Sequence, residues 1–403
     1  MLRILRIHTV PDEGGGSTWL QLFFDLVYVA ILVELGSRLS HDLTFEGVLL
    51  YVFLFIPIWL SWLENVQYGR YFPIDDIGQR ILTVLYMFAM LLMAFEIHDI
   101  TGKTGTIFLV AYALSKFILA LMFGRAWIQY PEYRHVIGRH VLAFVVVGLL
   151  WIGIALAAPA NFWLWGVATL AGLLAPLFIR FFRGRTGLAE QHYPPTKHQY
   201  MLHRFGELTI IVLGEFFIKL VISSSGRELA ANRIYIGLCL LAISVSLWWL
   251  YFDHLEHASL TTAGSRIGLW IYSHFPFLVA ITAYGVVGNK IFAATLGQAL
   301  EREQWLLFTL ALSIALLAFS VIEWAAREKE EPRSRPPLPL VRLGGAVALL
   351  AIGFLLGDQN VGIQVTAVAT ILVIQVGLDV YRRLQGSDPE VAHTAAPEIS
   401  GIA

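Results

Sequence analysis

The chain contains twelve apolar runs of about twenty residues, separated by shorter polar connections. An α-helix needs about 20 mostly apolar residues to cross the hydrocarbon core of a bilayer. Backbone polar groups in hydrocarbon must be satisfied within the segment, so runs of this length favour helices. The predicted membrane-spanning helices are 19–39, 46–64, 79–97, 105–123, 138–157, 162–181, 206–224, 234–252, 267–288, 304–324, 340–357 and 361–381.

The composition agrees with an integral membrane protein. Hydrophobic residues make up 57% of the chain and charged residues 14%, whereas soluble domains are about 25% charged. The net charge of −1 excludes the strongly basic balance of a nucleic-acid binder. The sequence has no Walker motif, glycine-rich phosphate loop or GxSxG elbow. We therefore expect the lipid bilayer as the main partner, and neither a cofactor nor nucleic acid.

The distribution of Lys and Arg predicts the orientation. With an even number of spans, both termini lie on one side of the membrane. That side collects twenty of the 28 Lys and Arg residues, the other side has six, and two lie within spans. Because cytoplasmic loops carry the excess of positive charge, we predict a multipass protein of the cell (inner) membrane with cytoplasmic N- and C-termini.

Short motifs recur in the same order in the two halves of the chain. Residues 23–26 (FFDL) match 205–208 (FGEL), and 59–65 (WLSWLEN) match 248–254 (WWLYFDH). Further on, GQRI at 78–81 matches GSRI at 264 onward. With six spans each, both halves enter the membrane from the same side. The pattern predicts two parallel repeats related by an axis along the membrane normal, as in some secondary transporters.

The repeat divides the chain into five parts. The connection between the halves is rich in Arg and Lys, and the end of the chain is polar and contains proline, a composition that favours disorder. The predicted parts are a cytoplasmic N-terminal segment (1–18), a first six-helix repeat (19–181), a basic cytoplasmic linker (182–205), a second six-helix repeat (206–384) and a disordered cytoplasmic tail (385–403).

Three of these motifs also resemble a known family. LFFDLVYV in the first span, FGELTIIVLGE in the seventh and WWLYFD in the eighth are similar to the low temperature requirement protein A (LtrA) family, over most of residues 18–385. The resemblance implies a bacterial multipass membrane protein. The family name refers to growth in the cold, which is not a mechanism, so the resemblance supports the architecture and adds little about chemistry.

Charged side chains within or beside the spans are the candidate functional residues. A carboxylate in hydrocarbon costs at least about 2.5 kcal/mol, so these positions call for an explanation. The repeat places two acids and one arginine of each half near the inner face. They are Asp25, Glu64 and Arg80 in the first half and Glu207, Asp253 and Arg266 in the second. Either the two clusters face each other and bind an ion or polar solute, or each is an internal latch neutralised by its arginine.

Two further pairs have helical i,i+4 spacing. Glu215 and Lys219 share one face of the seventh span, and Glu34 and Arg38 form a similar pair in the first. Each is either a self-satisfying ion pair or part of a proton or ion relay. Lys116, in the fourth span, is expected to snorkel to an interface or to pair with a buried acid such as Glu96.

His254 and His257 are the weak candidates for a metal site. Their i,i+3 spacing places both on one helix face beside acidic residues, and zinc sites use such ligands. The segment lies at a predicted membrane edge, where polar residues are ordinary, and the chain has no HExxH or CxxC motif. We therefore predict no metal.

These observations favour a secondary transporter or permease-like protein, with proton coupling as one form of it. One alternative is an intramembrane enzyme that acts on a lipid or isoprenoid-like substrate, with Asp25 or Glu207 as the general acid. Another is a non-catalytic membrane sensor or assembly partner. The transporter hypothesis rests on the repeat together with the paired intramembrane charges, and partly on analogy between folds.

Overall fold

The computed structural model describes residues 18–72, 74–98, 100, 105–185, 198–224, 230–258, 260, 264–326 and 338–386. Within these ranges the chain forms twelve α-helices and one short 3-10 helix, Pro131–Tyr133. The α-helices are α1 Trp19–His41, α2 Phe45–Tyr71, α3 Ile77–Phe95, α4 Gly105–Gln129, α5 Arg134–Ala157, α6 Phe162–Arg185, α7 His198–Ser224, α8 Ala231–His257, α9 Gly264–Ala293, α10 Arg302–Ala325, α11 Leu338–Leu355 and α12 Val361–Gly386. Each coincides with one of the predicted apolar runs.

Nine helices in the described part of the chain are long and apolar enough to cross a membrane. Two others, α6 and α11, contain shorter apolar stretches, Phe162–Leu174 and Pro339–Leu355. The remaining helix, α7, carries four charged side chains between its second turn and its C-terminal end. The chain is therefore a multipass membrane protein built from α-helices.

Polar caps help to define where the early helices begin. The Thr18 hydroxyl accepts a hydrogen bond from the Gln21 backbone, and the Gln21 side chain accepts one from the Thr18 backbone. This reciprocal capping box satisfies backbone donors at the start of α1. Thr44 caps α2 and Asp76 caps α3 in the same position. Each of these helices therefore begins after a residue whose side chain accepts a hydrogen bond from a backbone N–H group of the first turn.

The largest difference from the predicted bounds is at α7. This helix begins at His198, eight residues before the predicted position 206 and within the predicted linker. The added turns pack inward, because Tyr200, Met201 and Arg204 are all buried. The predicted N-terminal segment up to residue 17, the linker from 186 to 197 and the tail from 387 onward lie outside the described residues.

Helix contacts follow one pattern in each half of the chain. Among the first six helices, α1 contacts α2 and α3, α3 contacts α4, α4 contacts α5, and α6 contacts α5 and α2. Among the last six, α7 contacts α8 and α9, α9 contacts α10, α10 contacts α11, and α12 contacts α11 and α8.

The two sets of helices meet along α1 and α7. Asp25 of α1 lies beside Arg204 of α7. Further along, a Cβ atom on Gly36 would lie 3.4 Å from the Lys219 ammonium. Because both contacts advance in the same direction along the chain, α1 and α7 run parallel to each other.

Helices α2 and α9 flank this interface and run antiparallel. The Tyr51 hydroxyl donates to the Val279 carbonyl at 2.8 Å. The ring centroids of Trp59 and Tyr272 lie 5.6 Å apart. From the first contact to the second, the residue number increases along α2 and decreases along α9, so the two helices are antiparallel. The second contact places aromatic side chains in the interior.

Apolar side chains cover the outside of the bundle. Phe23, Leu156 and Val221 are examples of large hydrophobic residues with more than half of their surface exposed. An apolar exterior of this extent is unfavourable in water and is what hydrocarbon solvates. The surroundings of the helices are therefore lipid.

Candidate functional site

A buried ion pair joins the two halves of the protein. Arg204 Nη2 of α7 donates to Asp25 Oδ1 of α1 at 2.6 Å, and both side chains are 0% exposed. The indole Nε1 of Trp62, on α2, donates to the same carboxylate oxygen at 2.8 Å. In this low-dielectric interior the attraction between the charges is strong, and each charge depends on the other.

The ion pair retains hydrogen-bonding capacity. Asp25 Oδ2 and Arg204 Nε are buried and have no hydrogen-bond partner among the described residues. Arg204 Nη1 lies 3.8 Å from the Glu207 carboxylate, whose side chain is 25% exposed. Buried polar atoms of this kind usually bond to a protein group or an ordered water. The site therefore offers one acceptor and at least one donor to a polar group that enters it.

Aromatic rings surround the Asp25–Arg204 pair. The centroid of the Phe205 ring lies 4.9 Å from the ring centroid of Trp62 and 5.0 Å from that of Trp270, and both contacts are edge-to-face. Tyr28, one turn along α1 from Asp25, lies 6.0 Å from Trp62. Since these rings are fully or nearly fully buried, they exclude water and hold the indole that donates to Asp25.

Glu64 belongs to a second ion pair, inside the first half. The Lys116 ammonium of α4 donates to Glu64 Oε2 of α2, and it also lies 4.3 Å from the centroid of the Tyr112 ring. Lys116 is 0% exposed, and the Glu64 side chain is 20% exposed. Lys116 therefore pairs with an acid, as one of the two alternatives predicted, but the acid is Glu64 of α2 rather than Glu96.

Arg80 lies apart from the two buried acids. Its guanidinium donates two hydrogen bonds to Asp75, at 2.7 Å and 2.9 Å, and its side chain is 62% exposed. These hydrogen bonds lower the pKa of the Asp75 carboxyl. The first-half trio of Asp25, Glu64 and Arg80 is thus divided among three separate pairs. Arg204, which the predicted bounds placed in the linker, is the residue that neutralises Asp25.

The second-half candidates are also distributed. Glu207 joins the Asp25–Arg204 site, whereas Asp253 lies half-buried near the end of α8. The Arg266 guanidinium, in the first turn of α9, lies 5.2 Å from the centroid of the Trp324 ring. The structure therefore brings one carboxylate from each half of the chain, Asp25 and Glu207, to a common arginine.

The weak metal candidates do not form a ligand set in the described residues. His254 packs edge-on to Phe319 with 5.9 Å between ring centroids, and the His257 side chain lies outside the described part. In that part, no group of three or more His, Cys, Asp or Glu side chains is placed to hold a metal ion.

Of the two i,i+4 pairs predicted from the sequence, the structure forms the Glu215–Lys219 pair, whereas Glu34 and Arg38 have other partners. Lys219 Nζ lies 2.7 Å from Glu215 Oε1, and both side chains are largely buried. In the first span, Glu34 lies 3.6 Å from His98, and Arg38 donates to the His98 carbonyl at 2.7 Å. The loop after α3 thus supplies the partners in the first half, which the spacing within α1 alone did not indicate.

A third buried cluster was not predicted from the sequence. Arg342 of α11 is 0% exposed and lies 3.1 Å from Glu323 of α10. It also donates to Asp379 of α12 and, at 3.2 Å, to Gln375. These charges lie near the ends of apolar runs, where charged residues are ordinary. The ion pairs of Arg342 with Glu323 and Asp379 connect α10, α11 and α12, which indicates a structural role.

An apolar groove lies on the outside between α2 and α6. It is lined by Leu49, Leu50, Phe53, Phe162 and Trp163. These lining residues supply no acid or base, and the groove is therefore suited to an acyl chain rather than to acid–base chemistry.

Comparison with known proteins assigns the chain to a family. It is 24% identical over 374 residues to an uncharacterized protein, RA0937, of Rhizobium meliloti (strain 1021), covering 88% of this chain and 87% of the relative. Residues 16–375 match the family described as "Bacterial low temperature requirement A protein (LtrA)". The match includes both residues of the Asp25–Arg204 pair and both residues of the Glu64–Lys116 pair. This chain therefore belongs to the LtrA family of multipass membrane proteins.

Proposed function

We propose that this protein is a secondary transporter or permease for a small polar or charged solute, with its binding site at the α1–α7 interface. The observation that carries the proposal is the Asp25–Arg204 pair. It joins the two halves of the chain and is 0% exposed at both partners. Among the described residues, Asp25 Oδ2 and two guanidinium nitrogens of Arg204, Nε and Nη1, have no hydrogen-bond partner. Ionisable residues inside a membrane bundle commonly mark solute or ion pathways.

The proposed architecture has twelve spans in two parallel six-helix repeats, with both termini in the cytoplasm of a bacterial inner membrane. In this arrangement α6, α7 and α11 also cross the bilayer. Four charged residues in α7 are tolerated because each has an ionic partner on α1 or on α7 itself. The partners are Asp25 and Glu207 for Arg204, and Glu215 for Lys219.

Two structural observations support the repeat. Most of the contacts among α1 to α6 recur in the same order among α7 to α12, including the contact of the second helix of each set with the sixth. The first helices of the two sets, α1 and α7, run parallel and contact each other. Rocking of one such half against the other around a fixed site is a common basis of alternating access.

The Asp25–Arg204 pair suits binding by exchange of partners. An anionic group on a solute would take the free donor of Arg204, and a cationic or N–H group would take Asp25 Oδ2. Either event weakens the direct pair that joins α1 to α7 and supplies replacement contacts. Binding energy is thereby linked to the relative position of the two halves, as alternating access requires.

A flux assay with the purified full-length protein tests the proposal. The protein is reconstituted in proteoliposomes, and currents on a solid-supported membrane are recorded for a panel of inorganic ions, amino acids, carboxylates and amines. We expect at least one solute to give a saturable current that Asp25→Asn reduces at least tenfold. Asp75→Asn removes a carboxylate outside the site and is the matched control, with currents within twofold of the wild type.

Two results would overturn the proposal. One is the absence of a protein-dependent signal for every solute in the panel. The other is an Asp25→Asn variant that remains folded by size-exclusion chromatography and transports at the wild-type rate. In either case the buried ion pair would have only a structural role.

A further inference from the structure

We infer that Glu64 and Lys116 form a proton-binding site within the first half, separate from the solute site and mechanically linked to it by α2. This inference rests on the proposed transport function and names its coupling ion. It starts from an ion pair that the solute site does not use, and in which the two partners differ in their accessibility.

The difference in accessibility assigns the roles of the two residues. Lys116 is fully buried on α4 and is held by Glu64 and the face of the Tyr112 ring. Glu64 is 20% exposed. The carboxylate is therefore the partner that an entering proton can reach, whereas the ammonium is enclosed by protein and depends on that carboxylate for its counter-charge.

The other groups that face Glu64 are uncharged hydroxyls. Tyr86 of α3 donates to the Ser61 carbonyl at 2.8 Å, and Tyr112 lies beside Lys116 on α4. Tyr272 of α9 packs against Trp59 of α2, with 5.6 Å between the ring centroids. Asp25 and Arg204, on α1 and α7, are held on the other side of α2 through Trp62. Lys116 is thus the cation that the structure places on Glu64.

Helix α2 connects the proton site to the solute site. Trp62 and Glu64 are two residues apart, so their side chains point about 200° apart around the helix. Trp62 donates to Asp25 on one face, and Glu64 pairs with Lys116 on the opposite face. A shift of α2 that follows a change at Glu64 would therefore move the indole that bonds Asp25.

The proposed step transfers one proton and balances in charge. A proton from water binds a Glu64 carboxylate oxygen, and the N–H···O bond from Lys116 loses its ionic partner. Lys116 keeps its own proton and moves relative to α2. Glu64 then releases the bound proton to the opposite side and pairs with Lys116 again, so the net result is one proton carried across the membrane.

The repeat places this site in one half only. By the motif alignment, Asp253 corresponds to Glu64. A further match, of ALS at 113–115 with ALS at 311–313, puts Ile314 in the position of Lys116. The same alignment puts Leu22 in the position of Arg204. Each half thus carries a buried cation that the other lacks, one in the proton site and the other in the solute site.

A doubly neutral variant tests the inference in the full-length protein. Glu64→Gln with Lys116→Met removes both charges with little change in volume, so neither charge is left buried alone. Proteoliposomes are loaded with the pH indicator pyranine, and proton entry is followed while each panel solute runs down its gradient. We expect solute-driven proton flux to fall at least tenfold, while exchange of that solute at equal pH stays within threefold of the wild type. Asp75→Asn should leave both within twofold.

An infrared measurement separates failure of this inference from failure of the transport proposal. Lowering the pH should produce a protonated-carboxyl band in the wild-type protein, and the doubly neutral variant should lack it. Unchanged proton flux, or an unchanged band, in the doubly neutral variant overturns the proton site. If no solute moves in the wild type but the band behaves as expected, the transport proposal alone has failed.

Discussion

The contribution of the Asp25–Arg204 pair to the free energy of unfolding can be predicted from its burial. Removal of one partner of a fully buried ion pair costs about 3–5 kcal/mol, because the remaining charge is left without compensation. Asp25→Asn keeps an acceptor for the Trp62 indole but removes the negative charge, and Arg204→Met leaves the carboxylate. We expect each single variant to be destabilised by about 3–5 kcal/mol.

The double variant distinguishes a coupled pair from two independent contributions. Asp25→Asn with Arg204→Met removes both charges and should lose only about 1–2 kcal/mol, since a buried pair replaced by neutral groups is often nearly neutral in stability. The resulting coupling energy is about 4 kcal/mol or more, above the range of about 0.5–3 kcal/mol that is usual for directly contacting residues.

Reversible unfolding in mixed micelles provides the measurement. Unfolding is titrated with sodium dodecyl sulfate and followed by tryptophan fluorescence and circular dichroism, with the wild type and three variants in the same lipid–detergent mixture. If the free energies of the two single variants simply add in the double variant, the residues do not depend on each other. That result would refute the idea that the ion pair joins α1 to α7.

Three further predictions concern other parts of the bundle. Arg342→Met should lower the free energy of unfolding by about 3 kcal/mol or more, because it leaves two acids close together in the interior; a loss below about 1 kcal/mol in the same titration would contradict this structural role. Gly288→Ala should destabilise by about 1–3 kcal/mol, since its Cβ would lie 2.9 Å from a ring carbon of α7. Gly214→Ala should be neutral or stabilising in thermal melts, because its Cβ would meet no described atom within 4 Å apart from the adjoining backbone of its own helix. The exposed Asp75–Arg80 pair should contribute little to stability; its contribution is present above the unfolded pKa of about 3.9 and is lost as the pH falls through the lowered folded pKa of Asp75. The melting temperatures of Asp75→Asn and wild type should therefore converge at low pH, and a constant difference would exclude this cause.

The positions of the helices were predictable because each depends on local sequence. A run of about twenty apolar residues meets both the length of the bilayer and the hydrogen-bonding needs of the backbone. The helix bounds in the structure differ from the predicted bounds where side-chain packing extends a helix beyond its apolar run. At the start of α7, Tyr200 and Arg204 are buried against other helices, and that burial is not encoded in hydropathy.

The sequence by itself determined that the chain would form apolar helices, and it identified Asp25, Glu64 and Glu207 as acids that need partners. Only the tertiary structure decided which partners they have. Asp25 pairs with Arg204, 179 residues away along the chain, and Glu64 pairs with Lys116, 52 residues away. Hydropathy reports the preference of each segment for lipid, but the pairing of charges depends on which helix faces meet, and that is settled by the packing of the whole bundle.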